Sequence, residues 1–220
     1  MRRVQSEGNI QEYVAKYDMS CFLNKDLLRH LQLFHFTAPA NIYHEQDEQH
    51  YLYFLVEGSV QCSHYQLNGQ VAVFALSTPF AAIGDLEILG DEPVWSNVIA
   101  LEETTMLGIR NDVITHYGSN DPKFLRFLIE QLRQKLYKTN SLQVNQGLPV
   151  IQRLAMYILA QQPQGDVVTL PGKEQLASLL ATTTRHLNRV LKQLTEVGAI
   201  GGEYPQLYVL NRTLLLNLPT

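Results

Sequence analysis

Between Gly172 and Val197 two short helical patterns meet at a polar break, and this stretch restricts the fold more than any other. The first, KEQLASLL from Lys173, sets Leu176, Ala177 and Leu180 on one face, with Gly172 as N-cap and Gln175 at the third position. The second, TTTRHLNRVLKQLTEVG from Thr182, carries Leu187, Val190, Leu191 and Leu194 as its apolar stripe. A helix-turn-helix buries both stripes, with Ala177 at the tight crossing and Ala181-Thr182 in the turn. Gly198 to Ile200 ends the second helix. Gly201 to Gln206 then reads as a turn and Leu207 to Leu210 as the strand of a wing.

The first half of the chain follows a different period. Apolar or alternating runs at Tyr51 to Val56, Val60 to Tyr65 and Val71 to Leu76 are separated by Glu57-Gly58 and Asn68-Gly69, and Thr78-Pro79 closes the last. That spacing over Phe34 to Ile109 predicts hairpins of an antiparallel sandwich or roll. Before it, Ile10 to Tyr17 and Asp26 to Leu33 read as short helices, the second with Leu27, Leu28 and Leu31 on one face.

Asp121-Pro122 then starts a long helix, with Asp as N-cap and Pro at the first helical position. Leu125, Leu128, Leu132 and Leu136 recur along it at three- and four-residue spacing beside Phe124 and Phe127, while Arg126, Arg133, Lys135 and Lys138 populate other faces. Continued to Gln146, it would run near 38 Å at about 1.5 Å per residue, too long for so small a lobe to cover. The leucine stripe is therefore expected to be a homodimer seam, packing on the chain's own roll being the alternative. Gly147 and Pro149 punctuate the helix, and Val150 to Ala160 begins another. The expected organisation is a sensing roll with short N-terminal helices over 1–120, a dimerisation helix over 121–146, and a winged helix-turn-helix over 147–220. The fold class is α+β.

Charge follows the same division. Residues 1–120 hold 6 Lys and Arg against 15 Asp and Glu, residues 121–146 hold 5 against 2, and residues 147–220 hold 6 against 4. An acidic first half joined to a mildly basic remainder fits a sensor attached to a DNA-binding lobe. Catalysis finds no support. His35, His44, His50 and His64 are scattered without a His-x-His pair, so no metal is expected. Gly165 and Gly172-Lys173 are spaced wrongly for a phosphate loop, and Glu174 stands where Ser or Thr is needed. The start, MRRVQSEGNIQEYVAKYD, has no apolar core of a signal sequence, and no apolar run approaches the roughly 18 residues of a membrane span, so a cytoplasmic protein is expected. Cys21 and Cys62 lack metal or redox spacing and read as reduced thiols.

On the second helix of the pair, Thr182 or Thr183 is placed to cap, and amides and hydroxyls at such a start suit a phosphate. Thr184, Arg185, Asn188, Arg189 and Lys192 lie off the apolar stripe, and Arg185 and Arg189 could each present a fork to guanine in a major groove. A solvated helical face fits these residues equally well, and the rest of the chain decides between the two.

Over nearly its whole length the chain resembles the cyclic-AMP receptor/FNR (Crp/Fnr) family of bacterial transcription regulators. The resemblance is carried by YLYFLVEG from Tyr51 to Gly58, IGDLE from Ile83 to Glu87, the helix after Asp121, Arg153 to Ala155, and Thr183 to Leu194. Phe34 to Phe36, Ile83-Gly84 and Val144 to Gln146 before Leu154-Ala155 are most similar to the YeiL subgroup. The resemblance implies a homodimer whose long helices pair and whose recognition helices read palindromic double-stranded DNA, with RNA polymerase as a further partner open to such a regulator.

Departures from the family pattern concern the effector. Cyclic-AMP binders of the family hold the ribose with a Gly-Glu pair, which Gly84-Asp85 matches here, and the cyclic phosphate with an Arg-Ser or Arg-Thr pair, which here reads Trp95-Ser96. An indole cannot supply the counter-charge of a buried phosphate, so cyclic AMP is not expected, and Trp95 is left as packing or as the wall of an apolar pocket. Two cysteines cannot supply the four thiolates of an iron–sulfur cluster within one subunit. No cofactor is expected, and the effector stays unidentified. The reading from another class is a small-molecule-binding module whose last lobe makes protein contacts.

Overall fold

A computed structural model of the chain describes residues 2–4, 7–66, 69, 71–88, 90, 93–144, 147–161 and 167–218. Asn68, Asn145, Gln146 and Gly165, used in the sequence reading, lie outside the described residues. The chain divides into two compact units, Met1–Tyr137 and Lys138–Thr220.

The first unit opens with β1 (Arg2–Val4), α1 (Glu7–Lys16), a 3-10 turn at Met19–Cys21 and α2 (Lys25–Arg29). Its strands are β2 (Gln32–Phe36), β3 (Ala40–Tyr43), β4 (Tyr51–Glu57), β5 (Val60–Tyr65), β6 (Val71–Ser77), β7 (Ala81–Ile83), β8 (Asn97–Ala100) and β9 (Thr104–Arg110). They form two antiparallel sheets, ordered β1-β2-β9-β4-β7 and β3-β8-β5-β6, the roll that the strand spacing predicts. One expectation is corrected: the helix expected over Asp26 to Leu33 stops at Arg29, and Leu33 is already in β2. Asn24 caps α2 by accepting from the amides of Asp26 and Leu27, and the alternation of Leu33 with Phe34 and Phe36 then serves two faces of a sheet.

Both faces of the five-stranded sheet are covered, which is why β4 reads as a continuous apolar run. Tyr53 and Leu55 join Phe34, Phe36, Val60, Val98 and Met106 between the sheets. Leu52, Phe54 and Val56 lie on the opposite face with Leu27, Leu107, Ile109 and the helical residues Ile114, Phe124 and Leu128. Gly108 is fixed by close approach, since a Cβ there would stand 2.8 Å from the Phe34 ring and 2.9 Å from that of Tyr53.

After α3 (Asn111–Tyr117), Asp121 accepts from the amides of Lys123 and Phe124 and so caps α4 (Pro122–Val144). Two faces of α4, one residue apart in sequence and about 100° apart in azimuth, take different roles. Phe124 and Leu128 are buried in the roll's own core, with Phe127 stacked on Phe22 at 4.0 Å, and the same line continues to Gln131 and Lys135. The adjacent line, Leu125, Ile129, Leu132 and Leu136, stays exposed or half-buried, with Ile129 65% and Leu136 61% open. Leu128, expected on a dimer seam, is thereby placed in the core of its own roll at 2% exposure.

The second unit contains α5 (Val150–Ala160), β10 (Val167–Thr169), α6 (Lys173–Leu179), α7 (Thr184–Glu196), β11 (Ile200–Glu203), β12 (Gln206–Val209) and α8 (Arg212–Leu216). Its core joins Leu154, Ala155 and Ile158 to Leu176, Ala177, Leu180, Leu187, Val190, Leu194, Ile200 and Leu207. The wing is longer than expected. Ile200–Glu203, read as a helix end and a turn, is itself a strand pairing with β12, and β10 completes a sheet ordered β10-β12-β11. No helix among the described residues is long and apolar enough to cross a membrane.

Candidate functional site

The α6–α7 pair has the geometry its sequence requires. Gly172 stands at the N-cap of α6, Ala177 is buried at the crossing, and Ala181 turns the chain with φ 47°. Thr183, with extended backbone, caps α7 by accepting from the amide of His186 at 3.2 Å. The helix then spans 13 residues, about 20 Å at 1.5 Å per residue. Leu187, Val190 and Leu194 are buried on its inner side, while Thr183, Arg185, Asn188, Arg189 and Lys192 are exposed and Thr182 and Thr184 half-exposed. Arg189 meets the His186 ring at 3.0 Å, and Lys192 lies 3.6 Å from Glu196. The cap and outer side of α7 thus carry three cations, an amide and three hydroxyls, each exposed or half-exposed.

In the wing, Tyr204 donates its hydroxyl to the carbonyl of Pro171, and the ammonium of Lys173 lies 5.0 Å from the centre of the Tyr204 ring. These contacts tie the hairpin to the start of α6. Burial pushes the Tyr204 phenol up to about 12, so the donor stays protonated.

In the roll, Gly84 takes φ +87°, where a Cβ would collide with the Gln49 side chain at 2.2 Å, and its carbonyl accepts from Gln49 Nε2. The next residue, Asp85, is buried and ion-paired with Lys135 of α4. Lys135 also donates to the carbonyl of Ala82 at 2.8 Å, and Gln131 accepts from the amide of Ala82 at 3.2 Å. In the sequence Lys135 falls among the cations that populate other faces of the helix, and nothing there singles out Gln131 by itself. The available signal was the Phe124-Leu128 line, which continues at helical spacing into these two polar residues.

Trp95 is 55% exposed, stacked on His64 at 5.4 Å and tilted on Phe74 at 5.3 Å, so it packs at the surface of the roll. Its amide donates to Glu87, Ser96 is buried, and His64 lies 3.2 Å from Glu45. Burial pushes the Cys62 thiol up to about 11, although Lys135 nearby draws it down. Cys21 and Cys62 are both free, and among the described residues no group of three or more His, Cys, Asp or Glu is arranged to hold a metal.

Residues 33–120 match the cyclic nucleotide-binding domain, and residues 152–218 match the Crp-like helix-turn-helix domain. Among solved structures, FixK2 from Bradyrhizobium japonicum superposes with a TM-score of 0.76 at 21% identity, covering 86% of this chain and 98% of its own. A CooA mutant from Carboxydothermus hydrogenoformans gives 0.74 at 15% identity, covering 98% and 96%. The regulatory protein YeiL of Escherichia coli O157:H7 is 32% identical over 184 residues, 82% of this chain and 81% of that protein. The chain belongs to the Crp/Fnr family. Its roll, long helix and winged helix-turn-helix are the architecture of a Crp/Fnr transcription regulator, and the non-enzymatic reading agrees with that membership.

Proposed function

We propose that this Crp/Fnr protein is a homodimeric regulator that reads palindromic double-stranded DNA through α7 and does not answer to cyclic AMP. The observation that carries the reading is the split character of α7: a buried inner stripe and an outer side bearing Arg185, Asn188, Arg189 and Lys192 beyond a threonine cap. Side chains at the start of such a helix reach base edges while the cap and first amides hold phosphate. Dimerisation is supported by the open line Leu125, Ile129, Leu132 and Leu136, which a second copy of α4 would cover. RNA polymerase is the further partner proposed for a DNA-bound dimer.

The charge around the effector turn supports the negative half of the proposal. Asp85 is committed to Lys135, and Trp95 and Ser96 offer no cation where a cyclic phosphate would need one. No iron–sulfur cluster is proposed, because two cysteines fall short of four thiolates. An unidentified effector is left to the roll.

A salt titration of binding to duplex DNA tests the reading against the alternative of a small-molecule module with a protein-binding last lobe. Affinity should fall steeply and linearly on a log–log plot as counterions return to the phosphates. An undetectable duplex affinity at low salt would favour the alternative.

A further inference from the structure

The turn Ile83–Glu87 carries an occupant supplied by the chain itself. Asp85 has one carboxylate oxygen on Lys135 and the other buried without a partner, with 2% of the side chain exposed. Glu87 and Glu45 add negative charge around Trp95, the first through the Trp95 amide and the second through His64. Surroundings of this sign repel an anion and select a cation. Lys135 provides one, and it arrives on α4 with two further contacts to the strand that leads into the turn: its own bond to the Ala82 carbonyl and that of Gln131 to the Ala82 amide.

We infer that the effector turn is an alkylammonium site filled in cis by Lys135, which fixes α4 to the roll without any small molecule. Removing one partner of so buried a pair leaves the other uncompensated, which is strongly destabilising. Lys135 meets Asp85 from the helix whose adjacent line is the proposed dimer seam, so the state of the turn and the setting of the seam are one mechanical unit. The inference rests on the regulator reading only for its DNA readout. Its melting readout stands without it.

The test is chemical rescue in the full-length protein. Lys135→Ala removes three methylenes and the ammonium, which n-propylammonium restores atom for atom. The variant should melt roughly 10 °C lower, and propylammonium should recover at least half of that loss with saturation. Tetramethylammonium, which has no N–H to donate, should recover none beyond matched NaCl. In Asp85→Asn with Lys135→Ala the two ammonium salts should act alike. An equal response of Lys135→Ala to both salts, or a propylammonium response that survives in the double variant, would overturn the inference. Should Lys135→Ala not fold, Asp85→Asn with Lys135→Met removes both charges of the pair. That protein should fold but bind duplex DNA at least tenfold more weakly, and wild-type affinity would equally overturn the proposal. Loss of DNA binding by the wild-type chain would instead remove the regulator reading and leave the melting result intact.

Discussion

Replacing Leu136 by Glu separates the proposed seam from the roll's own core. Leu136 and Ile129 are 61% and 65% exposed, and fully burying such a side chain contributes about 1.5–3 kcal/mol, so covering each is worth roughly 1–2 kcal/mol. Over the two copies of each residue in a pair of helices, that amounts to about 4–8 kcal/mol, offset by the cost of association. Leu136→Glu removes the Leu136 share from both copies, about 2–4 kcal/mol, and places two like charges across the seam. The dimer dissociation constant should rise roughly 30- to 1000-fold. Sedimentation equilibrium measures it directly. The melting temperature of the monomer should hold, because Leu136 leaves no core contact behind. Leu128→Ala is the converse: buried with Phe124, Leu107 and Ile109, it should lower stability by about 2–5 kcal/mol without itself touching the seam. An unchanged dimer in Leu136→Glu would refute the reasoning.

Arg189→Ala should cost about 1–3 kcal/mol on a selected operator and relax preference at one base per half-site, measured by binding to single-base variants. Equal loss on random duplex would reduce Arg189 to a phosphate contact. Ala181→Gly should stabilise the chain by about 1 kcal/mol in urea unfolding, because a φ of 47° strains any residue with a Cβ, and a loss of stability would contradict that. Calorimetry should find no cyclic-AMP binding tighter than millimolar, and Trp95→Arg alone should not restore it while Lys135 holds Asp85. Cys62, half-buried with its thiol pushed up to about 11, should alkylate more slowly near pH 8 in the folded protein than after unfolding, and equal rates would contradict that.

The sequence was informative where one period served one environment. Val60–Tyr65 and Val150–Ala160 emerged with the predicted bounds, and Asp121, Gly172 and Thr183 cap the helices they were read to start, because each signal is local. The LQLFHF run after His30 was harder, since leucines at helical spacing precede alternation that supplies two sheet faces. On α4 the apolar residues merged into one stripe in sequence, and only the packing of Phe124 and Leu128 separates roll-facing from open positions. Lys135 was least legible. A lysine on an amphipathic helix ordinarily marks solvent, and its partner Asp85 is 50 residues away on a turn. The outer face of α7 was readable as to which residues stay off the buried stripe, because one helical period decides it.

If α7 reads a palindrome as part of a dimer, selection from a random double-stranded pool with the purified full-length protein should enrich inverted repeats with half-site centres roughly 10–10.5 base pairs apart. The enriched sites should be identical with and without cyclic AMP and lost in Arg185→Ala with Arg189→Ala. An asymmetric site, enrichment only with cyclic AMP, or no enrichment at all would contradict it.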